Sequence, residues 1–170
     1  MGENTNKIIS KHQAGVQLKL ERLILELNKR CRTHDNSKLQ EPEYSLWKKM
    51  DEEQRCPYGT KEYFDKIERN KKVFDLHYKN NNHHPEHYEN GILDMDLVDI
   101  MEMLCDWISY KDCISYSEAK ETILNQAKRF GIDAQLIFLL LNTISNYFVS
   151  FGSVEKNPHL KDLKEKLHLD

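Results

Sequence analysis

The chain has 170 residues, of which 39% are apolar and 31% charged, with a formal net charge of -3. That length holds one domain with a core that needs no disulfides or structural metal, and the composition is too apolar for a disordered chain. The small negative charge gives no overall basic surface, so nucleic acid is not an expected partner.

The start, MGENTNKIISKH, has no long apolar stretch of the kind a secretory signal needs, and Asn6 stands where a myristoylation signal requires Ser or Thr. Ile9, His12, Val16, Leu20, Leu23 and Leu27 recur at steps of three and four, which predicts a first helix with one apolar face. A polar loop, Cys31 to Gln40, follows. Glu41-Pro42-Glu43 suits the start of a second helix carrying Tyr44, Leu46, Trp47 and Met50, ended by Pro57-Tyr58-Gly59. A third helix is predicted over Lys61 to Tyr78, running into the break Asn80-Asn81-Asn82-His83-His84-Pro85. Helix four spans Asp96 to Tyr110, helix five Ser117 to Phe130 and helix six Asp133 to Val149, with Ser117 and Asp133 as N-caps. From Glu155 the chain either forms a short amphipathic helix or frays. The apolar run Leu136 to Leu141 is interrupted by Asn142, Ser145 and Asn146, too short for a membrane span. It is either central to the fold or covered by a second subunit, which leaves a homodimer open. Cys31, Cys56, Cys105 and Cys113 form no CxxC pair and read as buried or idle thiols of a cytoplasmic protein. The expected fold class is all-α, one domain of six or seven helices.

Six of the eight histidines precede the middle of helix four, and four of them lie from His77 to His87. Imidazole together with carboxylate suits a first-row divalent ion better than magnesium. His12 sits on the apolar stripe of helix one, so its ring is expected to face inward, where it needs a metal or a hydrogen-bond acceptor. His34-Asp35 lies in a polar stretch where adjacent side chains can converge on one cation, and the two oxygens of Asp35 can bridge two. If His34 to Lys38 is helical, the Lys38 ammonium falls beside the site, where a phosphate would want it. His83-His84 lies at an irregular junction before Pro85, which frees both rings to be aimed. Asp99, Glu102 and Asp106 share a face of helix four. For Asp99 that face reads as the solvent side, with Leu97, Met101, Leu104 and Ile108 opposite. Glu41, Glu86 and Glu102 are available to orient histidines or position water. The clusters Lys29-Arg30-Arg32 and Arg69-Lys71-Lys72 read as solvated faces that can also steer a phosphate, while Trp47 and Trp107 read as packing residues. His87 is ambiguous, and His159 and His168 read as solvated.

His12, His34-Asp35-Asn36-Ser37-Lys38, the later histidines and Asp106 together resemble the H…HD…D arrangement of the HD superfamily of helical metal-dependent phosphohydrolases. The HDxxK run and the His83-His84 pair also resemble its two-metal HD-GYP branch. More closely, His34-Asp35-x-Ser37-Lys38, His77-x-x-x-Asn81-x-His83-His84-Pro85-Glu86 and Glu102-Met103-x-x-Asp106-Trp107 are similar to an uncharacterised HD-like family of bacteria and phages. The match covers residues 8 to 112, leaving a helical extension over 117 to 170. The resemblance implies that His12, His34, Asp35 and Asp106 hold one ion (Mn, Fe, Zn, Co or Ni). It implies a second ion on His77 and either His83 or His84, with Asp35 bridging, and catalytic roles for Asp35, Lys38 and Glu86. The implied activity is hydrolysis of a nucleotide or other small phosphoester in a bacterial cytosol, or in the host cytoplasm if the protein is viral. No glycine-tyrosine-proline run follows the histidine pair, so cyclic-dinucleotide specificity is not implied. Two other classes share the scaffold: a binding protein that sequesters a nucleotide or acts as a phage-encoded inhibitor, and a di-iron oxygenase like myo-inositol oxygenase.

Overall fold

The structure is a computed structural model, and it describes residues 2–53, 55–57, 60–110 and 115–148. In chain order these form α1 (Gly2–Thr33), a 3-10 turn (Asn36–Leu39), α2 (Glu43–Asp51), α3 (Lys61–Arg69) and α4 (Lys71–Asn80). Two 3-10 turns (Pro85–His87 and Gly91–Asp94) lead to α5 (Leu97–Ile108), α6 (Tyr116–Phe130) and α7 (Ala134–Tyr147). There is no strand among the described residues, so the all-α expectation holds, with seven α-helices. None of them is long and apolar enough to cross a membrane.

The boundaries that differ from the sequence reading differ for local reasons. The helix expected over Lys61 to Tyr78 breaks at Asn70, whose side-chain amide donates to Glu53 Oε1 (2.8 Å) and to the Lys66 carbonyl (3.0 Å). Asparagine competes in this way with the helix ladder, and the apolar periodicity running through the break gives no sign of it. Helix five is capped by Ser115, not Ser117. Ser115 and Glu118 form a reciprocal capping box, the S-x-x-E spacing that marks a helix start. Gly131 closes the same helix in the left-handed region (φ 63°), where a Cβ would be strained, and Asp133 caps α7 by accepting from the Leu136 amide. α2 ends at Asp51, before the expected stop. Tyr58, Gly59, Cys113, Val149 and everything later, including the stretch from Glu155, His159 and His168, lie outside the described residues. Cys31 and Cys105 are exposed rather than buried.

The chain groups into two units, Met1–His87 with Asp96–Glu102, and Tyr88–Met95 with Met103–Asp170, and α5 contributes to both. In the second unit α6 pairs with α7. Met103, Ile123, Leu140, Leu141 and Ile144 are fully buried there, and Trp107 stacks on Phe130 at 5.9 Å. Helix α7 is therefore central to that core, although Leu139 stays exposed. In the first unit α4 packs on α2 and on the 3-10 turn that follows α1. Its buried apolar residues are Met50, Val73, Val98 and Ile100, and beside them lie buried Glu43, His77, Asn81, His83 and Asp99.

Candidate metal centre

The 3-10 turn after α1 places Asp35 at its N-cap with φ 55° and ψ 16°, a left-handed backbone held by a non-glycine residue. Aspartate tolerates that region better than most side chains, yet it is strained, and such strain concentrates at functional sites. Its effect is to aim the carboxylate at α4 and at the loop beyond it. His77 Nε2 lies 3.3 Å from Asp35 Oδ1, near but not aligned as a hydrogen bond, and His83 Nε2 lies 3.6 Å from the same oxygen. His84 Nε2 faces His77 Nε2 at 2.9 Å. One ligand atom each from Asp35, His77, His83 and His84 falls within 4.8 Å of all the others.

The second nitrogen of these rings is held from outside the cluster. Glu43 Oε1 receives His77 Nδ1 at 2.6 Å, and Glu102 Oε1 lies 2.9 Å from His34 Nδ1 and 3.3 Å from His83 Nδ1. Those partners assign the proton to Nδ1 in each ring and leave Nε2 as a lone pair turned towards Asp35. Asp35 Oδ1 and His83 Nε2 are buried with no hydrogen-bond partner among the described residues. Two neighbouring polar atoms without partners cost stability unless something cationic shares them.

A first-row divalent ion fits this donor set. Nitrogen and oxygen ligands about 2.0–2.1 Å from a tetrahedral ion lie about 3.4 Å from one another. The separations of 2.9, 3.3 and 3.6 Å bracket that value. Carboxylates on the far nitrogens are also the usual support of metal-bound imidazoles. Asp35, His77, His83 and His84 are therefore the residues that could hold an ion, with His34 and Glu102 against them.

The electrostatics agree. Burial would raise the Asp35 carboxyl, but the His77 ring and the Lys38 ammonium outweigh it and hold the group well below the usual carboxylate range. Burial likewise opposes ionisation of Glu102, and His34, His83 and Arg30 overcome it. Glu43 is lowered against its own burial by Trp47, His77, Ser37 and Asn80. All three stay ionised at neutral pH, so the site presents fixed negative charge to a cation.

Lys38 donates to Asp35 Oδ2 at 2.6 Å and lies over the Trp47 ring, 4.8 Å from its centroid. It reaches the site from the 3-10 turn, three residues after Asp35, rather than through the helical spacing from His34 considered above. His34, Lys38 and His84 are part-exposed while His77 and His83 are buried, so the cluster is open to solvent on the side of the first three.

Several expectations change. His12 is not a ligand: α1 continues unbroken to Thr33, so His12 stands about 33 Å along the helix from His34 at 1.5 Å per residue, and it is exposed. Both His83 and His84 join the cluster, where one was expected. Glu86 is exposed on the short turn after the histidine pair and is not among the converging groups. Asp106 lies one turn beyond Glu102 on α5, half-buried, and its expected ligand role is not among those that change. Asp99 is buried rather than solvated, with Leu97 and Met101 exposed instead. The cause is Arg30, which donates to Asp99 (2.9 Å), Glu102 (2.9 Å) and Asn82 (2.8 Å) and so locks the end of α1 to the start of α5. Arg30 positions Glu102 rather than steering a phosphate. Glu41, at the start of helix two, bonds Ser45 on the surface. Glu43 was missed, because an acid at a helix start already has a reason to be there. The signal that would have found it is the polar set His77, Asn80 and Asn81 on one face of α4, which needs an acceptor across from it.

The chain belongs to a family of unknown function (DUF5662), whose model matches residues 1–146, a span that holds every residue of this cluster. No curated protein and no solved structure matches it.

Proposed function

From a family membership that names no activity, we propose that this protein is a metal-dependent phosphohydrolase of the HD type. The observation that carries the reading is the convergence of imidazole Nε2 lone pairs, their Nδ1 atoms held by Glu43 and Glu102, on the partnerless Oδ1 of Asp35. Asp35, His77, His83 and His84 would hold the ion. When bound, a first-row divalent ion lowers the pKa of water and offsets charge on a phosphoryl group.

The chain's own residues supply the rest. Lys38 is tethered to Asp35 Oδ2 on a flexible stem and can swing its ammonium to a phosphoryl oxygen at the open side. The Trp47 face limits where that stem travels. His34, part-exposed with Nε2 3.6 Å from Asp35 Oδ2, is placed to take a proton on that nitrogen from the water that adds to phosphorus and to return it to the departing alkoxide as the ester P–O bond breaks. Buried His77 and His83 keep bulk water from the closed side. A small phosphoester, with nucleotides as the first class to assay, matches a site whose open side carries His34, Lys38 and His84.

The test is to strip the protein of metal, reload it with Mn, Fe, Zn, Co or Ni, and assay bis(4-nitrophenyl) phosphate, 4-nitrophenyl phosphate and a nucleotide panel. Turnover with at least one ion is expected. Asp35→Ala should lose both metal and turnover. Lys38→Ala should keep its metal while turnover falls by about 100-fold or more. Stoichiometric metal without turnover of any phosphoester overturns the hydrolase reading and leaves a binding protein. Iron binding with oxygen uptake overturns it in favour of an oxygenase.

A further inference from the structure

Helix α1 is 32 residues and about 48 Å long, and from Asn4 to Leu25 every residue except Gly15 is exposed. Eight of these are large and apolar: Ile8, Ile9, Val16, Leu18, Leu20, Leu23, Ile24 and Leu25. A polar helix with that much bare apolar surface has little reason to persist in water without a partner.

Four of the eight, Ile9, Val16, Leu20 and Leu23, are ordered: with the polar Gln13 and with Leu27 they follow one another at steps of 4, 3, 4, 3 and 4, the a/d seam of a heptad repeat, while Leu18 and Leu25 lie on the opposite face. A period of 3.5 residues keeps a seam facing another helix along its length, which a flat surface does not require. Laid antiparallel on itself the seam closes: Ile9 meets Leu27, Gln13 meets Leu23 and Val16 meets Leu20, as a two-fold axis demands. We propose that this face of α1 docks on α1 of a second copy of this chain.

The area suffices. Ile9, Val16, Leu20, Leu23 and Ile24 are 48%, 42%, 54%, 46% and 55% exposed. Burying what remains removes on the order of 400 Å² of apolar surface per copy, and the Gln13 stem in the seam with the flanking Gln17, Lys19 and Glu21 stems brings the pair above the roughly 1,000 Å² that a specific interface needs. The shallow apolar groove lined by Val16, Leu20 and Ile24 on this helix receives the facing knobs.

Light scattering of the full chain over a dilution series tests this. The expected mass is twice the 20.2 kDa of one chain, and Leu20→Glu should raise the dissociation constant by at least about 100-fold, since a carboxylate cannot be buried in the seam. Leu25→Glu, on the opposite face of α1, should leave the dimer intact and shows whether added charge alone disturbs it. Circular dichroism on each variant separates dissociation from loss of folding. A wild-type monomer throughout the series overturns the proposal, whether the seam is covered by the chain's own residues beyond 148 or by another protein. Dissociation by Leu25→Glu but not by Leu20→Glu overturns it as well.

Discussion

In the second unit the described interior is apolar, and its least exposed side chains are Met103, Ala119, Ile123, Leu140, Leu141 and Ile144. In the first unit the least exposed are Glu43, His83, His77, Val73 and Asp99, four of the five polar. The two therefore draw on different physics. The second unit is held by apolar area, where each buried branched side chain contributes about 1.5–3 kcal/mol and tolerates no lost volume. The first is held by charge-assisted hydrogen bonds, whose net worth is small but whose loss is costly, because each leaves a buried partner exposed to nothing. A polar interior that is almost satisfied but keeps Asp35 Oδ1 and His83 Nε2 without partners departs from what stability alone would select. Departures of that kind are expected where a site must meet something from outside.

The largest effect expected from this contrast is in the apolar core. Leu140→Ala removes a fully buried side chain and should cost about 3 kcal/mol in denaturant unfolding, with metal content unchanged. If metal is lost with it, the two interiors are not separable in the way described. Next comes Glu43→Ala, which leaves Trp47 Nε1, His77 Nδ1 and Asn80 Nδ2 without their acceptor. About 2 kcal/mol of stability should go, together with the orientation of His77. Glu43→Gln sharpens this by keeping the volume: stability changes less, while metal affinity measured by competition with a chelator should fall about 10- to 100-fold. Unchanged affinity in Glu43→Gln would remove Glu43 from the support of the site.

How much of this was legible beforehand follows the same divide. The helices of the second unit read directly from apolar spacing and the Asp133 cap, local signals that agree with one another, while the Ser115 box lies two residues ahead of the cap read there. The ligands from His34 to His84 were readable as a set of residue types. Their pairing was not, because Glu102 with His34 and Arg30 with Asp99 join residues 68 and 69 positions apart. The stripe on α1 was read correctly as a face and wrongly as an inward one, which carried His12 into the site. Periodicity shows that a face exists and says nothing about what covers it. For Asp99 the error ran the other way, since a charge reads as solvated until its partner is known.

The smallest effect concerns the one residue where backbone and chemistry conflict. Asp35 holds φ 55° without being glycine, so the turn carries strain that a better-suited residue would relieve. Replacing it by glycine alone would mix that relief with the loss of the carboxylate and its bond to Lys38. The informative comparison is between Asp35→Gly and Asp35→Ala, because both lack the carboxylate and differ only at Cβ. In the left-handed region alanine keeps the clash and glycine does not, so the glycine variant should be the more stable by about 1 kcal/mol, with neither retaining metal. Equal stabilities would mean that the left-handed turn relaxes once the carboxylate is gone, and that the carboxylate's contacts were what imposed it. A stable glycine variant without metal would instead show that the aspartate is kept at this position against the preference of the backbone, for the sake of what its oxygens bind.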